Sequence, residues 1–496
     1  MIEGYSIPKG WSTATLVDVC RIVMGQSPPS TTYNVNRQGL PFFQGKKEFG
    51  PIYPEPEVYC SSPGKIAEPG AILLSVRAPV GPTNIALERC CIGRGLCALH
   101  PGPCLEQMFL FHYLRSRQQS LSGEGTGTTF TAISKGVIEN YPVPVAPLVE
   151  QRAIVSKIDA LFSELDKGIE QLQTIKQQLK QYRKAVLKAA FEGELTAAWR
   201  AEQQAAGTLP SADDLLERIE KEREARYQQR LDEWKQAVAE WEAACGSGSD
   251  GIKPTRPSKS VDLRALAADE LADLATLPKG WAWLAMPWLV SFDRKPMTTG
   301  PFGTLLKKRD HRTEGVPVLG IENIGEGLFV PGNKIFVSEA KASDLSSFGA
   351  EAGDIIISRS GTVGEICRVP EGLGRVLISS NLMRVSLNAA ALIPELFVLA
   401  FQPGSPVKRQ VEDLCKGSTR AFLNQTILNS LRFPVPGPRE QRQVLQEIES
   451  RFSVFDELEK AVDYATNRAE ALRRSILRKA FEGRLLSEAE STDVRN

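Results

Sequence analysis

The densest group of possible metal ligands in this sequence is a set of four cysteines and one histidine: Cys90, Cys91, Cys97, His100 and Cys104. Zinc sites are built from thiolates and imidazoles at regular spacings. The spacing here fits no common zinc module, and the chain contains no CxxC. A metal site therefore competes with a simpler interpretation, in which these are small thiols buried in strands. The nine cysteines are odd in number and unpatterned, which favours a reducing, cytoplasmic compartment.

Residues that usually perform catalysis are few or scattered. Three histidines, His100, His112 and His311, argue against a histidine-based triad in 496 residues. Residues 416–419 (KGST) end like a P-loop, but Val411 stands where its first glycine is needed. Residues 27–30 (SPPS) lack the polar and aromatic ends expected of an amino-methyltransferase motif. Scattered carboxylates leave a nuclease-like pair open. We nevertheless expect a binding or assembly protein, with no catalytic residue, metal site or cofactor of its own.

Five short motifs occur twice along the chain in the same order. The pairs are residues 8–11 (PKGW) and 278–281, 70–77 and 353–360, 142–144 (PVP) and 434–436, 150–152 (EQR) and 440–442, and 191–195 and 481–485. The offset between the copies drifts from 270 to 292 residues, which requires small insertions in loops. Because the order is kept, the sequence indicates a tandem duplication.

Each copy divides into a globular part and a helical part. The globular parts hold short β-rich runs separated by glycine and proline, a pattern typical of an α+β or mostly β unit with long loops. In the helical parts, apolar residues recur at steps of three and four, as in a heptad seam. The predicted coiled-coil core positions are Ile158, Leu165, Leu172, Leu179 and Val186, then Ile448, Phe455, Val462, Leu472 and Ile476.

A helix from residue 148 to about residue 191 would be roughly 66 Å long, at 1.5 Å per residue. Its apolar stripe needs a partner, and the other copy's helix is the nearest one. Each helix directly follows its globular unit, so a two-fold relation makes the helices antiparallel and places the globular units at opposite ends. In the alternative, each helix folds back on its own unit.

The predicted fold class is therefore α+β, with a tandem duplication of a globular domain followed by a long helix. The two helices pair as an antiparallel coiled coil with pseudo-two-fold symmetry. The predicted bounds are 1–147 and 278–437 for the globular domains, 148–195 and 438–486 for the long helices, 196–277 for a helical insert (about 211–245) with a flexible linker, and 487–496 for a disordered tail. Trp234 and Trp241 in the insert predict either a docking face or packing against the long helices.

The net charge of +1 hides an uneven distribution. Residues 1–147 hold 12 basic and 10 acidic side chains, residues 278–437 hold 18 and 14, and the remainder holds 30 and 35. Basic loops beside glycine, serine and threonine suit contact with DNA phosphates and base edges. Each cluster alone is equally explained as a solvated loop, but recurrence near matching places in both copies favours DNA binding. The candidate residues are Lys46, Lys47, Arg77, Thr126, Thr128, Thr129, Lys307, Lys308, Arg309, Arg312, Arg359, Ser360, Thr362, Lys416, Ser418, Thr419 and Arg420.

These motifs together resemble a known family. The series PKGW, GQSPPS, LPFFQGKKEF, GAILLSVRAPVG, YPVPVAPLVEQRAIVSKIDALFSELD and AVLKAAFEGELT, followed by its second copy, is similar to the DNA-sequence specificity subunit of type I restriction-modification systems. The resemblance covers essentially the whole chain apart from residues 200–277.

The resemblance implies a non-catalytic, cytoplasmic subunit that serves DNA methylation and phage defence. Each globular unit would be a target recognition domain that reads one half of a bipartite, asymmetric site in double-stranded DNA. The coiled coil would set the spacer and dock two methyltransferase subunits, which translocase/nuclease subunits then join. S-adenosylmethionine, ATP and Mg²⁺ would belong to those partners. Two alternatives stay open: a coiled-coil scaffold that binds only proteins, and a fused nuclease or methyltransferase.

Overall fold

The structure is a computed structural model that describes residues 8–124, 132–245, 252–257, 263–292, 294–303, 305–415, 422–487 and 490. The chain forms two compact units. Unit 1 comprises residues up to 175 and from 461 onward, and unit 2 comprises residues 176–460. Each unit holds one globular part, called the first head (residues 8–147) or the second head (residues 278–437). No helix in the described part of the chain is both long and apolar enough to cross a membrane.

The first head is built on three sheets. Their strand orders are β1-β11, β2-β10-β7-β8 and β3-β5-β4-β9-β6. The strands are β1 (Ser12–Thr15), β2 (Cys20–Met24), β3 (Tyr33–Asn34), β4 (Leu40–Phe43), β5 (Tyr59–Cys60), β6 (Ile66–Ala67), β7 (Ile72–Ser75), β8 (Thr83–Ile85), β9 (Cys90–Ile92), β10 (Leu96–Pro101) and β11 (Pro142–Val145). The helices are α1 (Leu16–Val19), α2 (Gln107–Ser116), α3 (Gln118–Gly123) and α4 (Lys135–Glu139). Strand β7 is buried along its whole length, which explains its unbroken apolar run.

The second head repeats this framework after the long helix α5 (Leu148–Phe191) and the insert helices α6 (Ala197–Ala205), α7 (Ala212–Cys245) and α8 (Ala268–Leu271). Its sheets have the orders β12-β21, β13-β20-β17-β18 and β15-β14-β19-β16. The strands are β12 (Trp281–Ala285), β13 (Met297–Thr299), β14 (Val316–Leu319), β15 (Ile335–Val337), β16 (Gly349–Ala350), β17 (Ile355–Ser358), β18 (Ile366–Arg368), β19 (Val376–Ile378), β20 (Leu382–Val385) and β21 (Arg432–Pro436). The helices are α9 (Met286–Leu289), α10 (Glu339–Asp344), α11 (Pro394–Ala400), α12 (Pro406–Cys415), α13 (Gln425–Ser430) and α14 (Pro438–Phe481). The predicted α+β fold with a tandem duplication is confirmed.

In both units, segments of α5 and α14 run in opposite directions. In unit 1, Ile158 of α5 shares a core with Ile476 and Phe481 of α14, whereas Asp166, further along α5, pairs with Arg473. In unit 2, Leu187 shares a core with Ile448, whereas Arg183, earlier on α5, pairs with Asp456. Increasing numbers on one helix thus meet decreasing numbers on the other. The antiparallel pairing is confirmed, and each helix is continuous rather than folded back.

The two units use the same arginine clamp between the helices. In unit 1, the Arg473 guanidinium lies 5.2 Å from the Phe162 ring and pairs with Asp166. In unit 2, the Arg183 guanidinium lies 5.0 Å from the Phe452 ring. Its carboxylate partner Asp456 is 290 residues after Asp166, as Arg473 is after Arg183. A guanidinium stacked on an aromatic face and bound to a carboxylate has a defined orientation, so each clamp fixes the local helix register.

Nine of the ten predicted coiled-coil positions are buried or half-buried. Ile158, Leu179, Ile448, Val462 and Ile476 are buried, and Leu165, Leu172, Val186 and Phe455 are half-buried. The prediction for Leu472 is wrong, because this side chain is 48% exposed. Arg473 takes the inward place at this level by stacking on Phe162. Successive residues on a helix point about 100° apart, so Leu472 faces solvent.

The insert helix α7 begins where its sequence predicts and packs against the second head. The Ser211 hydroxyl accepts a hydrogen bond from the Asp214 amide at 3.1 Å, and Leu215 lies in the second head's core. The Trp234 indole donates to the Pro254 carbonyl at 3.0 Å, and the Lys253 ammonium lies 5.4 Å from the Trp241 ring. These contacts join both tryptophans to the segment that follows α7, and not to the long helices. Of the predicted linker and tail, only residues 252–257, 487 and 490 are among the described residues.

A buried histidine in unit 1 predicts an acid-sensitive stability. His112 on α2 is 3% exposed, and its Nε2 lies 3.4 Å from Asp159 Oδ1. Burial lowers the pKa of His112 to about 4, although the charge of Asp159 opposes this shift. The folded chain therefore binds this proton less readily than the unfolded chain, and stability is lost as the pH falls from about 6.5 towards 4.

We expect His112→Leu to remove that loss, which amounts to at most about 3 kcal/mol between pH 7 and pH 4. Leucine fits the place, because Leu399 occupies the equivalent position on α11 of the second head. Urea unfolding at several pH values measures the difference between variant and parent. An unchanged slope in His112→Leu would refute the prediction.

Candidate nucleic-acid interface

The loops that follow the central strands β7 and β17 share a set of matching hydrogen bonds in both heads. The Gly81 amide donates to the Ser75 carbonyl at 2.9 Å, and the Gly364 amide donates to the Ser358 carbonyl at 2.9 Å. Each serine hydroxyl also donates to a carbonyl two residues further on, that of Arg77 at 3.2 Å and that of Ser360 at 3.1 Å. Arg77 and Ser360 thus occupy equivalent places on one loop frame. Arg77 and Thr362 are exposed and Ser360 is half-buried.

Arg359 is a packing residue in this structure, which corrects its assignment as a DNA contact. Its side chain is buried, with Nε donating to the Leu423 carbonyl at 3.2 Å and Nη1 to the Ser380 carbonyl at 3.3 Å. Its guanidinium also lies 4.4 Å from the Phe422 ring. The equivalent residue in the first head is the buried Val76, and the carbonyls of both accept from the matching amides of Leu423 and Ile133. The position therefore faces inward in both heads, whatever residue it holds.

Two exposed phenylalanines flank Arg359, and neither lies in a sequence motif that would predict a role in binding. Phe302 is 55% exposed and Phe422 is 39% exposed, and the Arg359 guanidinium lies within 5.1 Å of the first ring and 4.4 Å of the second. Only their exposure, which depends on the fold, shows that these rings form a surface of the second head.

The main described basic cluster of the second head lies on one turn. Lys307 precedes a single 3-10 turn, Lys308–Asp310, and its amide donates to Asp310 Oδ2 at 2.8 Å. That hydrogen bond, with the charges of Lys341 and Arg309, lowers the pKa of the half-buried Asp310 carboxyl. Lys308, Arg309 and Arg312 are exposed. Arg312 is held by a backbone pairing with Phe336. The turn therefore presents basic side chains on a fixed backbone.

The first head places its lysine pair on a different turn. Lys46 and Lys47 are exposed on the 3-10 turn Lys46–Glu48, and Lys47 pairs with Glu57 at 2.5 Å. The equivalent turn of the second head is Ile321–Asn323, which follows β14 as Lys46–Glu48 follows β4. The bridges Phe49↔Pro54 and Ile324↔Phe329 close both turns alike. The expectation that the lysine pair of the first head and the Lys307 cluster of the second head occupy matching places is therefore wrong, and the other pair, residues 125–129 and 416–420, lies outside the described residues. The two heads carry different side chains on one framework.

Seven of the candidate residues lie outside the described residues: Thr126, Thr128, Thr129, Lys416, Ser418, Thr419 and Arg420.

The cysteines that could have formed a metal site are separated by the sheets of the first head. Cys90 and Cys91 lie in β9 and Cys97 lies in β10, all three buried. Burial raises the pKa of the Cys97 thiol to about 12, so it stays protonated and is a poor metal ligand. Within the described ranges, no group of three or more histidine, cysteine or acidic side chains could hold a metal ion. The interpretation as buried thiols fits this arrangement.

The sequence of this chain is similar to a known family and to known proteins. The sequence model of the family described as the type I restriction modification DNA specificity domain matches residues 8–181. The chain is 38% identical over 192 residues to the type I restriction enzyme MjaX specificity subunit of Methanocaldococcus jannaschii. This match covers 38% of this chain and 44% of that protein. It is 21% identical over 497 residues to the EcoBI type I specificity subunit of Escherichia coli, covering 99% of this chain and 90% of that protein.

The crystal structure of the HsdS subunit from Thermoanaerobacter tengcongensis is 48% identical, over 33% of this chain and 40% of that one, with a TM-score of 0.30. The chain thus spans less than half the length of the archaeal relative, at 44%, and most of the length of the E. coli relative, at 90%. Residues 8–181 thus match the type I restriction modification DNA specificity domain, and nearly the whole chain is similar to the EcoBI type I specificity subunit.

Proposed function

We propose that this chain is the non-catalytic, DNA-reading subunit of a type I restriction-modification complex. Each head reads one half of a bipartite, asymmetric DNA site, and the paired helices set the unread spacer and dock two methyltransferase subunits. Translocase/nuclease subunits complete the assembly. S-adenosylmethionine, ATP and Mg²⁺ bind to these partners. The complex works in the cytoplasm.

One observation carries this proposal: two heads with one framework differ on the surface. The 3-10 turn that carries Lys46 and Lys47 in the first head carries Ile321 and Glu322 in the second. Sequence readout depends on the side chains that reach base edges, whereas the backbone frame only positions them. Two such heads would therefore read two unlike half-sites.

Mapping the methylated bases in a genome, with and without this gene, tests the proposal. We expect one methylated sequence that depends on the gene and consists of two unlike halves, separated by a fixed number of unread base pairs. A continuous site or a symmetric site would contradict the assignment of one half to each head. If no methylation depends on the gene, the chain is a protein-binding scaffold instead.

The basic turn of the second head gives a prediction for the backbone contacts. Lys308 and Arg309 are exposed, and we expect the double variant Lys308→Ala/Arg309→Ala to bind all DNA sequences more weakly. If both side chains neutralise phosphates, the slope of log Kobs against log salt should fall by about 2. Filter binding of the complex with its methyltransferase subunits, between low and high salt, measures this slope. Lys221→Ala on α7 is the matched control, and an equal change in both variants would remove the turn from the interface.

A further inference from the structure

A cleft of about 670 Å³ in unit 1 is strongly basic. It lies between helices α2 and α3 of the first head and the end of α14. Its charged lining is four arginines, Arg115, Arg473, Arg474 and Arg478, against a single acid, Glu470. Gln118 and Gln119 add neutral hydrogen-bond donors. The lining therefore offers many donors and a clear excess of positive charge.

The arginines gather with little compensation from the protein. Burial, and then the charge of Arg473, lowers the pKa of Arg115, so the two guanidiniums lie close enough to repel each other. Arg473 is bound to Asp166 on one side, but its buried Nε has no hydrogen-bond partner. Arg474 and Arg478 are exposed, and neither forms an ion pair with another described residue. Like charges held together in this way are stabilised by an anion bound between them.

In unit 2, a loop of the second head lies against the part of α5 that is equivalent to the α14 side of the cleft. In unit 2, Lys184 and Lys188 stand where Arg474 and Arg478 stand in unit 1, 290 residues apart. There the chain between α11 and α12 lies directly against the backbone of α5. The contact requires glycine at position 404, because a Cβ at that residue would lie 2.2 Å from the Lys184 carbonyl oxygen, and Gly404 has a φ of +109°. The corresponding junction between α2 and α3 in unit 1 is Arg117, with a φ of −102°. A residue with a side chain cannot make this close approach, so the junction at Arg117 does not lie on the helix backbone as Gly404 does.

We propose that this cleft binds a phosphate group. Guanidinium groups match phosphate oxygens with paired, charge-assisted hydrogen bonds, and four guanidiniums exceed what the two nearby carboxylates, Glu470 and Asp166, neutralise. The phosphate comes from a nucleic-acid backbone or from a free polyphosphate, since both present the same oxygens. The inference does not depend on sequence recognition by the heads, so it stands or falls separately from the proposed function.

Two charge-matched double variants of the full chain test the site. Arg474→Gln/Arg478→Gln removes two exposed charges from the cleft, and Lys184→Gln/Lys188→Gln removes two from the equivalent face of the other repeat. The probes are a random-sequence 20-base-pair duplex, followed by fluorescence anisotropy, and inorganic triphosphate, followed by calorimetry. We expect the cleft variant to lose about tenfold in affinity for at least one probe, as the loss of a charged hydrogen bond predicts, and the control variant to lose little.

Each outcome decides. A loss confined to the duplex assigns the phosphate to a nucleic-acid backbone, a loss confined to triphosphate assigns it to a free polyphosphate, and a loss with both supports the shared chemistry. Equal losses in the two variants, or none in either, would overturn the site. All four side chains are exposed, so thermal unfolding should show the parent's midpoint and exclude misfolding as the cause of a loss.

Discussion

Replacing Gln441 by leucine is expected to destabilise unit 2 by at least about 3 kcal/mol, because three backbone groups lose their partner at once. Gln441 is 1% exposed near the start of α14. Its Oε1 accepts from the Ile393 amide at 2.9 Å, and its Nε2 donates to the carbonyls of Ala391 at 2.8 Å and Pro436 at 3.0 Å. The side chain thus joins the long helix, the last strand of the second head and the turn before α11.

The first repeat makes the same connection with Gln151, which is fully buried. Its Oε1 accepts from the Glu106 amide at 2.7 Å, and its Nε2 donates to the carbonyls of Cys104 at 2.9 Å and Ala146 at 2.8 Å. Gln151→Leu should therefore have the same effect on unit 1. A leucine has nearly the same volume but cannot bond, so it leaves these amide and carbonyl groups buried and unsatisfied.

Urea unfolding, followed by circular dichroism, measures the expected loss. Gln443→Leu is the matched control on the same helix, since the Gln443 amide donates to the Glu447 carboxylate one turn away, at 3.3 Å, and bonds no backbone group among the described residues. We expect it to change stability by less than about 0.5 kcal/mol. If Gln441→Leu and Gln443→Leu destabilise the protein equally, the buried amide does not hold the head to the helix.

The fold could be predicted from the sequence repeat, because the repeated EQR motif makes the same contacts in both units. The sequence shows EQR twice, and the structure shows that its glutamine bonds the same three backbone groups in both units. The antiparallel pairing followed from the heptad pattern and from the position of each helix after its head. The prediction for Leu472 failed, because a heptad pattern places only apolar residues between the helices. In the structure, Arg473 lies between the helices instead and stacks on Phe162.

The candidate interface was less predictable, because surface loops obey no periodicity. Arg359 looked like an exposed basic residue in a loop, yet its backbone position corresponds to the buried Val76 and its side chain is buried. The lysine pair at Lys46 and the cluster at Lys307 looked equivalent along the sequence, yet they lie on different turns. Charge and composition identify which residues suit DNA, but only the fold shows which of them share a face.

Replacing the first head by a second copy of the second head should convert the asymmetric DNA site into a symmetric one. If each head reads one half-site, two identical heads on antiparallel helices read the same half twice, in opposite orientation. The other half and the number of unread base pairs should stay as in the parent, because the long helices are unchanged. Mapping of methylated bases with the altered gene gives the new site directly.

The exchange has to respect the contacts between head and helix in unit 1. Phe109 of the first head contacts Phe481 of α14, with ring centroids 5.1 Å apart, and the Trp11 indole donates to Glu150 at 3.0 Å. The second head keeps a tryptophan at the matching place, Trp281, but has Leu396 where the first head has Phe109. Restoring phenylalanine there by Leu396→Phe in the grafted copy keeps the ring packing against Phe481.

A matched control separates loss of folding from loss of reading. The single variant Phe109→Leu alters the same contact and leaves every loop of the first head unchanged, so it should direct methylation to the parent site. If the chain with two second heads changes both half-sites, or keeps the parent site, then the heads do not read DNA independently. If it directs methylation to a symmetric site with a new spacer, the heads read DNA but the helices alone do not set the distance between the half-sites.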